Sequence, residues 1–451
     1  MPGNSSPLWR KSGERADPLP NPVQLCPYSG PGGQYAFRDG KEIQPELKED
    51  VYRLYCMLAE TDMEQSKVDK IEFIQALRGI ASLLVVFWHG SRFFAPYGEG
   101  WSGVLLRPAA PFGVDLFFLI SGFIMLVTTR RSDGSKGYVA TFFIKRFARI
   151  WPVYVIATAI LLLLISYRRE PFLSWHGFRH LVEYLFFLPL HGPNGGDPGV
   201  VIPALSVGWT LNYEMYFYAV LAASLLFGRA RWLAFFLWMA LTLLVIPGVF
   251  SATPLSVDPS VNYQFHGYLR LATNPIILLF AAGVIIGIIY DTRLTIANPF
   301  YGRLSIFAVV CMVIFQYCSG FRADHGLFNW GLTLVPLMLV LALALKTIDW
   351  EVSRPLLYLG DISFSLYLFH PIAQEWFDRY NVRLSGTGPL AGFAAFFITS
   401  AIAIVLACLS HRYLELGVSN RMRDVLLRPM RKNRLRRNES LTVAPSIKEV
   451  A

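Results

Sequence analysis

From Ile71 to Leu414 the chain is a succession of apolar runs separated by short polar stretches that carry Pro, Gly, Arg or Lys. Each run holds about 17 to 25 residues, enough for a helix to cross the hydrocarbon layer of a bilayer. Backbone amides surrounded by lipid must find their hydrogen bonds within the segment, which a helix provides. The predicted spans are 72–93, 112–129, 150–167, 208–227, 232–250, 272–290, 303–319, 327–346, 357–377 and 389–413. The expected fold is therefore all-α, a polytopic membrane protein with about ten transmembrane helices. Between the third and fourth spans, Leu181 to Leu190 is apolar but too short to cross. Pro189 and the run from Gly192 to Gly199 point there to one short re-entrant or surface hairpin.

Three regions follow. Residues 1–70 are rich in Pro, Gly and charge and lack the basic start and apolar core of a signal peptide, so they read as a largely disordered cytoplasmic extension, with one short amphipathic helix over 45–66. Residues 71–415 form the transmembrane domain. Residues 416–451 form a basic cytoplasmic tail, in which Arg421 to Arg437 carry eight Lys/Arg against Asp424.

Composition changes the picture in two ways. Of 451 residues 54% are hydrophobic and 16% charged, so length does not count soluble domains here. The net charge of +10 is concentrated near the chain end, which suits a tail beside a membrane and not a nucleic-acid partner. Basic residues favour the cytoplasmic side of short loops. Placing Arg130, Arg131, Lys136, Lys145, Arg146, Arg149, Arg229, Arg231, Arg293, Arg303, Lys346 and the tail there puts both termini in the cytoplasm, with Arg168, Arg169 and Arg179 a local exception outside. The five cysteines show neither paired nor metal-ligand spacing, so no metal site is expected.

Ionisable side chains within a span are costly against lipid and usually face the interior of the bundle. In the first span Gln75, Arg78, Ser82 and His89 fall at offsets 0, 3, 7 and 14, within about 60° of one another on a helix. Arg78 and His89 lie about 16 Å apart along the axis. That is comparable to the reach of a pantetheine arm, so a donor whose phosphates rest near Arg78 would present its thioester near His89. Snorkelling of Arg78 and plain packing of His89 explain the spacing equally well. Asp115, Glu214 and His370 fall at the same expected depth as His89. Each has an ordinary alternative: a helix cap for Asp115, an arginine partner for Glu214, an interhelical hydrogen bond for His370. His370 shares a face with Ser363, Tyr367 and Gln374. Arg146 and Arg149, at i and i+3 before Trp151 and Pro152, suit either membrane anchoring or bidentate phosphate binding.

At these residues the sequence resembles the acyltransferase 3 family, bacterial multi-span enzymes that use acyl-coenzyme A to modify surface glycans, antibiotics and related acceptors. The likeness covers about residues 71–415. It rests on Arg78, ten residues and then His89 in ALRGIASLLVVFWH, and on FGVDLFFLISGFIM with Asp115. KRFARIWPVY with Arg146 and Arg149, WTLNYEMYFY with Trp209 and Glu214, and SFSLYLFHP with Tyr367 and His370 continue it in order. The extension before the first span is longer than the family usually shows. The resemblance implies an O-acetyltransferase of the bacterial inner membrane that takes acetyl-CoA from the cytoplasm and acylates an extracytoplasmic carbohydrate, such as exopolysaccharide or lipopolysaccharide. Arg78, Arg146 and Arg149 would hold the donor phosphates. His89 would be the general base, with Glu214 or Asp115 orienting its imidazole and His370 nearby. Membrane lipid, the glycan acceptor and glycan-biosynthesis proteins are the expected partners. The alternative class is a transporter or flippase, because polar stripes also line substrate pathways.

Overall fold

The computed structural model describes residues 71–94, 106, 108–164, 175–188, 205–380 and 389–430. The chain divides into two units, Met1–Glu64 and Gln65–Ala451. The first lies outside the described residues, and so do the extension over 1–70 and the tail beyond Met430; the account below concerns the second.

The described residues are helical, with no strand among them. In chain order the main helices are α1 (Glu72–Gly90), α2 (Ala109–Thr129), α3 (Lys136–Leu164), α4 (Trp175–Leu185), α5 (Trp209–Leu225) and α6 (Arg231–Ala240). They continue with α7 (Leu278–Tyr290), α8 (Pro299–Ser319), α9 (Gly331–Ala344), α10 (Arg354–Asp361), α11 (Ser363–Tyr380) and α12 (Pro389–Ser410). Six helical stretches are long and apolar enough to cross a membrane: Glu72–Phe93, Ala109–Thr129, Lys136–Leu164, Gly228–Phe250, Pro299–Ser319 and Leu390–Met430. The chain is thus a multi-pass membrane protein.

Helix forms at each of the ten predicted segments, but not always as a span of the expected kind. Pro275–Tyr290 and Gly331–Ala344 are shorter apolar helices, and α5 has 17 residues. The ninth segment is two helices, α10 and α11, meeting at 71°. The bend has a packing cause. A Cβ on Gly360 would lie 2.2 Å from the Gln75 carbonyl oxygen, so α10 rests directly on the backbone of α1. At the corner the freed Gly360 carbonyl accepts from Ser363 Oγ at 2.7 Å. The third span begins earlier than its prediction, because α3 starts at a Ser135 cap on Tyr138 N and runs through Pro152. The last span also overruns its prediction, because α12 passes through π-helical turns at His411–Ser419 and stays helical to Met430. Of the expected hairpin, α4 and a turn at Phe187 (φ +59°) are seen; 189–204 lie outside the described residues.

The core is set by backbone contact between helices. A Cβ on Gly122 would meet Phe280 O at 2.1 Å, and one on Gly283 would meet Leu119 O at 2.1 Å, so α2 and α7 touch through a pair of glycines. Above that contact Phe118 and Phe217 stack on Phe280 with centroids 4.5 Å away in each case. This packing fixes the rotation of α2, whose other side lines the site.

Candidate active site

A cavity of about 750 Å³, its mouth included, lies among α1, α2, α3, α5 and α11. Arg78 reaches it from α1, Arg146 and Arg149 from the i, i+3 face of α3, and Glu214 and Tyr218 from one turn-spaced edge of α5. The three arginines, separated in sequence, thus share one chamber. Arg146 donates to Thr128 Oγ1 at 3.2 Å and lies over the rings of Phe142 and Tyr218 at 5.8 and 5.9 Å. Arg78 reaches Gln75 Oε1 only at 3.5 Å and sits in the field of Arg149, Glu415, Glu214 and Tyr218. Glu214 accepts a hydrogen bond from the Tyr218 hydroxyl. Glu415, on the π-helical extension of α12, accepts from Ser365 Oγ and lies 3.4 Å from His411 Nδ1. Three guanidiniums against one lining carboxylate, Glu214, leave the chamber net positive, and guanidinium forks suit phosphate oxygens. These residues therefore fit the phosphate end of a coenzyme A donor. Among the described residues no group of three His, Cys, Asp or Glu side chains is arranged to hold a metal.

At the other end of α1, His89 meets His370 of α11 with ring centroids 4.7 Å apart. His89 Nδ1 is 3.0 Å from Val85 O and His370 Nδ1 3.2 Å from Leu366 O. A carbonyl can only accept, so each Nδ1 carries the hydrogen and each Nε2 keeps its lone pair. His370 Nε2 is buried and has no hydrogen-bond partner among the described residues. The imidazole orientation expected from Glu214 or Asp115 is thus supplied by the main chain of the helix itself. Tyr367, 6.1 Å from His370 between ring centroids, connects the pair to the chamber. Its hydroxyl lies 2.8 Å from Thr210 Oγ1 and 3.0 Å from Val207 O, and both Tyr367 and Thr210 line the cavity.

Asp115 belongs to neither group. It is fully buried six residues into α2, so it caps no helix end. Its carboxylate accepts from His325 Nδ1 at 2.7 Å and from Gly326 N at 2.7 Å. The four groups expected at one depth therefore sort into three settings: Glu214 with the arginines, His89 with His370, and Asp115 with His325. Sequence reasoning missed His325, because it sits in a loop with no periodicity and its partner is 210 residues away.

A family model described as an acyltransferase domain, that of the acyltransferase 3 family, matches residues 71–409. The chain belongs to this family. Exopolysaccharide production protein ExoZ of Rhizobium meliloti (strain 1021) is 33% identical over 300 residues, 65% of this chain and 85% of that protein. Acyltransferase MdmB of Streptomyces mycarofaciens is 25% identical over 364 residues, 76% and 88% of the two chains. Nodulation protein 10 of Rhizobium leguminosarum bv. viciae is 25% identical over 322 residues, 66% and 82%. No solved structure matches. As an acyltransferase 3 member the protein is an O-acyltransferase. The nine named residues that carried the resemblance, Arg78, His89, Asp115, Arg146, Arg149, Trp209, Glu214, Tyr367 and His370, lie within the matched region.

Proposed function

We propose that the protein transfers an acetyl group from cytoplasmic acetyl-CoA to a hydroxyl of an extracytoplasmic carbohydrate, an exopolysaccharide or the lipopolysaccharide. The observation that carries the reading is the convergence of Arg78, Arg146 and Arg149 in one chamber, while the same helix α1 carries His89 three turns further on with its Nδ1 turned to Val85 O, which leaves Nε2 as the basic nitrogen. On this reading the ten helical segments cross the inner membrane with both termini in the cytoplasm. Arg78 then lies toward the side that holds acetyl-CoA and His89 toward the side that holds glycan. The name of ExoZ, an exopolysaccharide production protein, supports a carbohydrate acceptor.

In the reaction, His89 Nε2 takes the proton from the acceptor hydroxyl as its oxygen attacks the thioester carbonyl. The coenzyme A thiolate leaves and receives that proton, so thioester and alcohol become ester and thiol. His370 packs against His89 and holds its ring, and the arginines anchor the donor phosphates.

The test is the O-acetyl content of purified surface polysaccharide, read by proton NMR in a deletion strain complemented with wild type or with equally expressed His89→Ala. Wild type restores the ester and His89→Ala does not. Ester restored by both removes His89 as the base. Polysaccharide unchanged by either, or saccharide moved across the membrane without ester, overturns the assignment.

A further inference from the structure

Outside the arginine chamber and the His89–His370 pair, the structure holds a further oriented imidazole. We propose that His325, held by Asp115, is an acceptor-recognition residue: its Nε2 accepts a hydrogen bond from a carbohydrate hydroxyl beside the one that is acylated. This inference rests on the function proposed above.

The Asp115 carboxylate is fully buried, while the His325 side chain is 22% exposed, so the acid stands behind the ring and the ring faces outward. With Nδ1 2.7 Å from Asp115 Oδ1, the hydrogen is on Nδ1 and Nε2 presents a lone pair that has no partner among the described residues. A buried aspartate orients an imidazole in this way in the serine-protease triad, where it selects the tautomer. The second oxygen, Oδ2, takes the Gly326 amide, so the loop backbone and the ring are gripped by one carboxylate.

The loop around the ring is clamped. Gly326 has φ +124°, a conformation that favours glycine, and a Cβ there would meet Pro259 Cδ at 2.8 Å. Asn329 Nδ2 donates to the His325 carbonyl at 2.9 Å, and buried Gln316 holds the carbonyls of Arg322 and Asn329 at 3.2 and 3.0 Å. A ring held this firmly loses little freedom when it accepts one further bond.

Position ties the pair to the site. Val114 and Phe118, which flank Asp115 on α2, line the chamber, and so does Thr210 beside Trp209. Trp209, half-buried, meets His325 edge to face at 5.7 Å. A fixed acceptor nitrogen beside an indole surface matches a sugar ring, which offers hydroxyl donors at its rim and C–H groups on its face. The proposed topology puts this loop on the side where glycan arrives. Tethering the loop to α2 does not require an imidazole, because the Gly326 amide already makes that bond and an asparagine at 325 would make the other.

That difference is the test. Purified full-length enzyme in detergent is assayed with radiolabelled acetyl-CoA and alkali-de-esterified surface polysaccharide of the host strain. In His325→Asn the amide nitrogen replaces Nδ1 and keeps the bond to Asp115, while the Nε2 acceptor is lost. The KM for polysaccharide rises roughly five- to tenfold, the loss of one hydrogen bond, with the KM for acetyl-CoA and the Tm unchanged. Asp115→Asn, whose amide donor faces Nδ1 and turns the tautomer over, raises the polysaccharide KM in the same way if His325→Asn folds poorly. Wild-type kinetics in both variants show a tether and overturn the inference, as does a rise confined to the acetyl-CoA KM. If wild type acylates no saccharide at all, the proposed function falls and this inference with it; if wild type acylates and the variants are unaltered, only the inference falls.

Discussion

Gly283→Ala tests whether the α2–α7 contact sets the shape of the chamber. The added methyl would sit 2.1 Å from Leu119 O and 2.9 Å from Phe123 N. Ordinary van der Waals contact begins near 3.4 Å, so the backbones must part by about 1.3 Å at that point. The obstacle is main chain on both sides, so no rotamer change relieves it. Overpacking of this kind costs about 1–3 kcal/mol. For a chain of this size that corresponds to a fall in Tm of roughly 1–3 °C. The cost to activity is larger in proportion, because α2 supplies seven of the seventeen residues lining the chamber, Phe118, Ser121 and Met125 among them. The assay is Tm in detergent together with acetyl transfer from acetyl-CoA. Gly248→Ala is the control, because its Cβ would meet nothing closer than 3.8 Å. A Gly283→Ala enzyme with the Tm and kinetics of wild type would refute the claim that this glycine contact holds the chamber walls.

Arg78→Gln removes one of three guanidiniums from the chamber while keeping a polar side chain. A charge-assisted bond to phosphate contributes about 1.5–3 kcal/mol, so the KM for acetyl-CoA rises about 10- to 150-fold. The polysaccharide KM stays put, and an unchanged acetyl-CoA KM removes Arg78 from the donor site. Gln316→Leu breaks a buried knot in which Gln316 donates to the Arg322 and Asn329 carbonyls and accepts from Thr333 Oγ1 at 2.5 Å. Stranding those groups costs about 1–3 kcal/mol, read as a lower Tm, and an unaltered Tm would show that the knot is not holding the loop.

The positions of the helices, the stripe from Arg78 to His89 and the common face of Arg146 and Arg149 were legible in the sequence, because each depends on one helix and its 3.6-residue period. The motif order that marks the acyltransferase 3 family was legible for the same reason, as local strings of residues. What one helix does relative to another was not. The 71° corner between α10 and α11 follows from Gly360 lying on α1, and the overrun of α12 to Met430 continues past the point where apolar sequence ends. The position of each residue along its own helix was readable, but what it meets on neighbouring helices was not, so four groups expected together fall into three settings. The meeting of His89 with His370 and of Asp115 with His325 was decided by interhelical packing alone, through glycine contacts that let backbones touch and through a clamped loop without periodicity. A periodic sequence specifies the face a helix presents; only the packed bundle determines what that face meets.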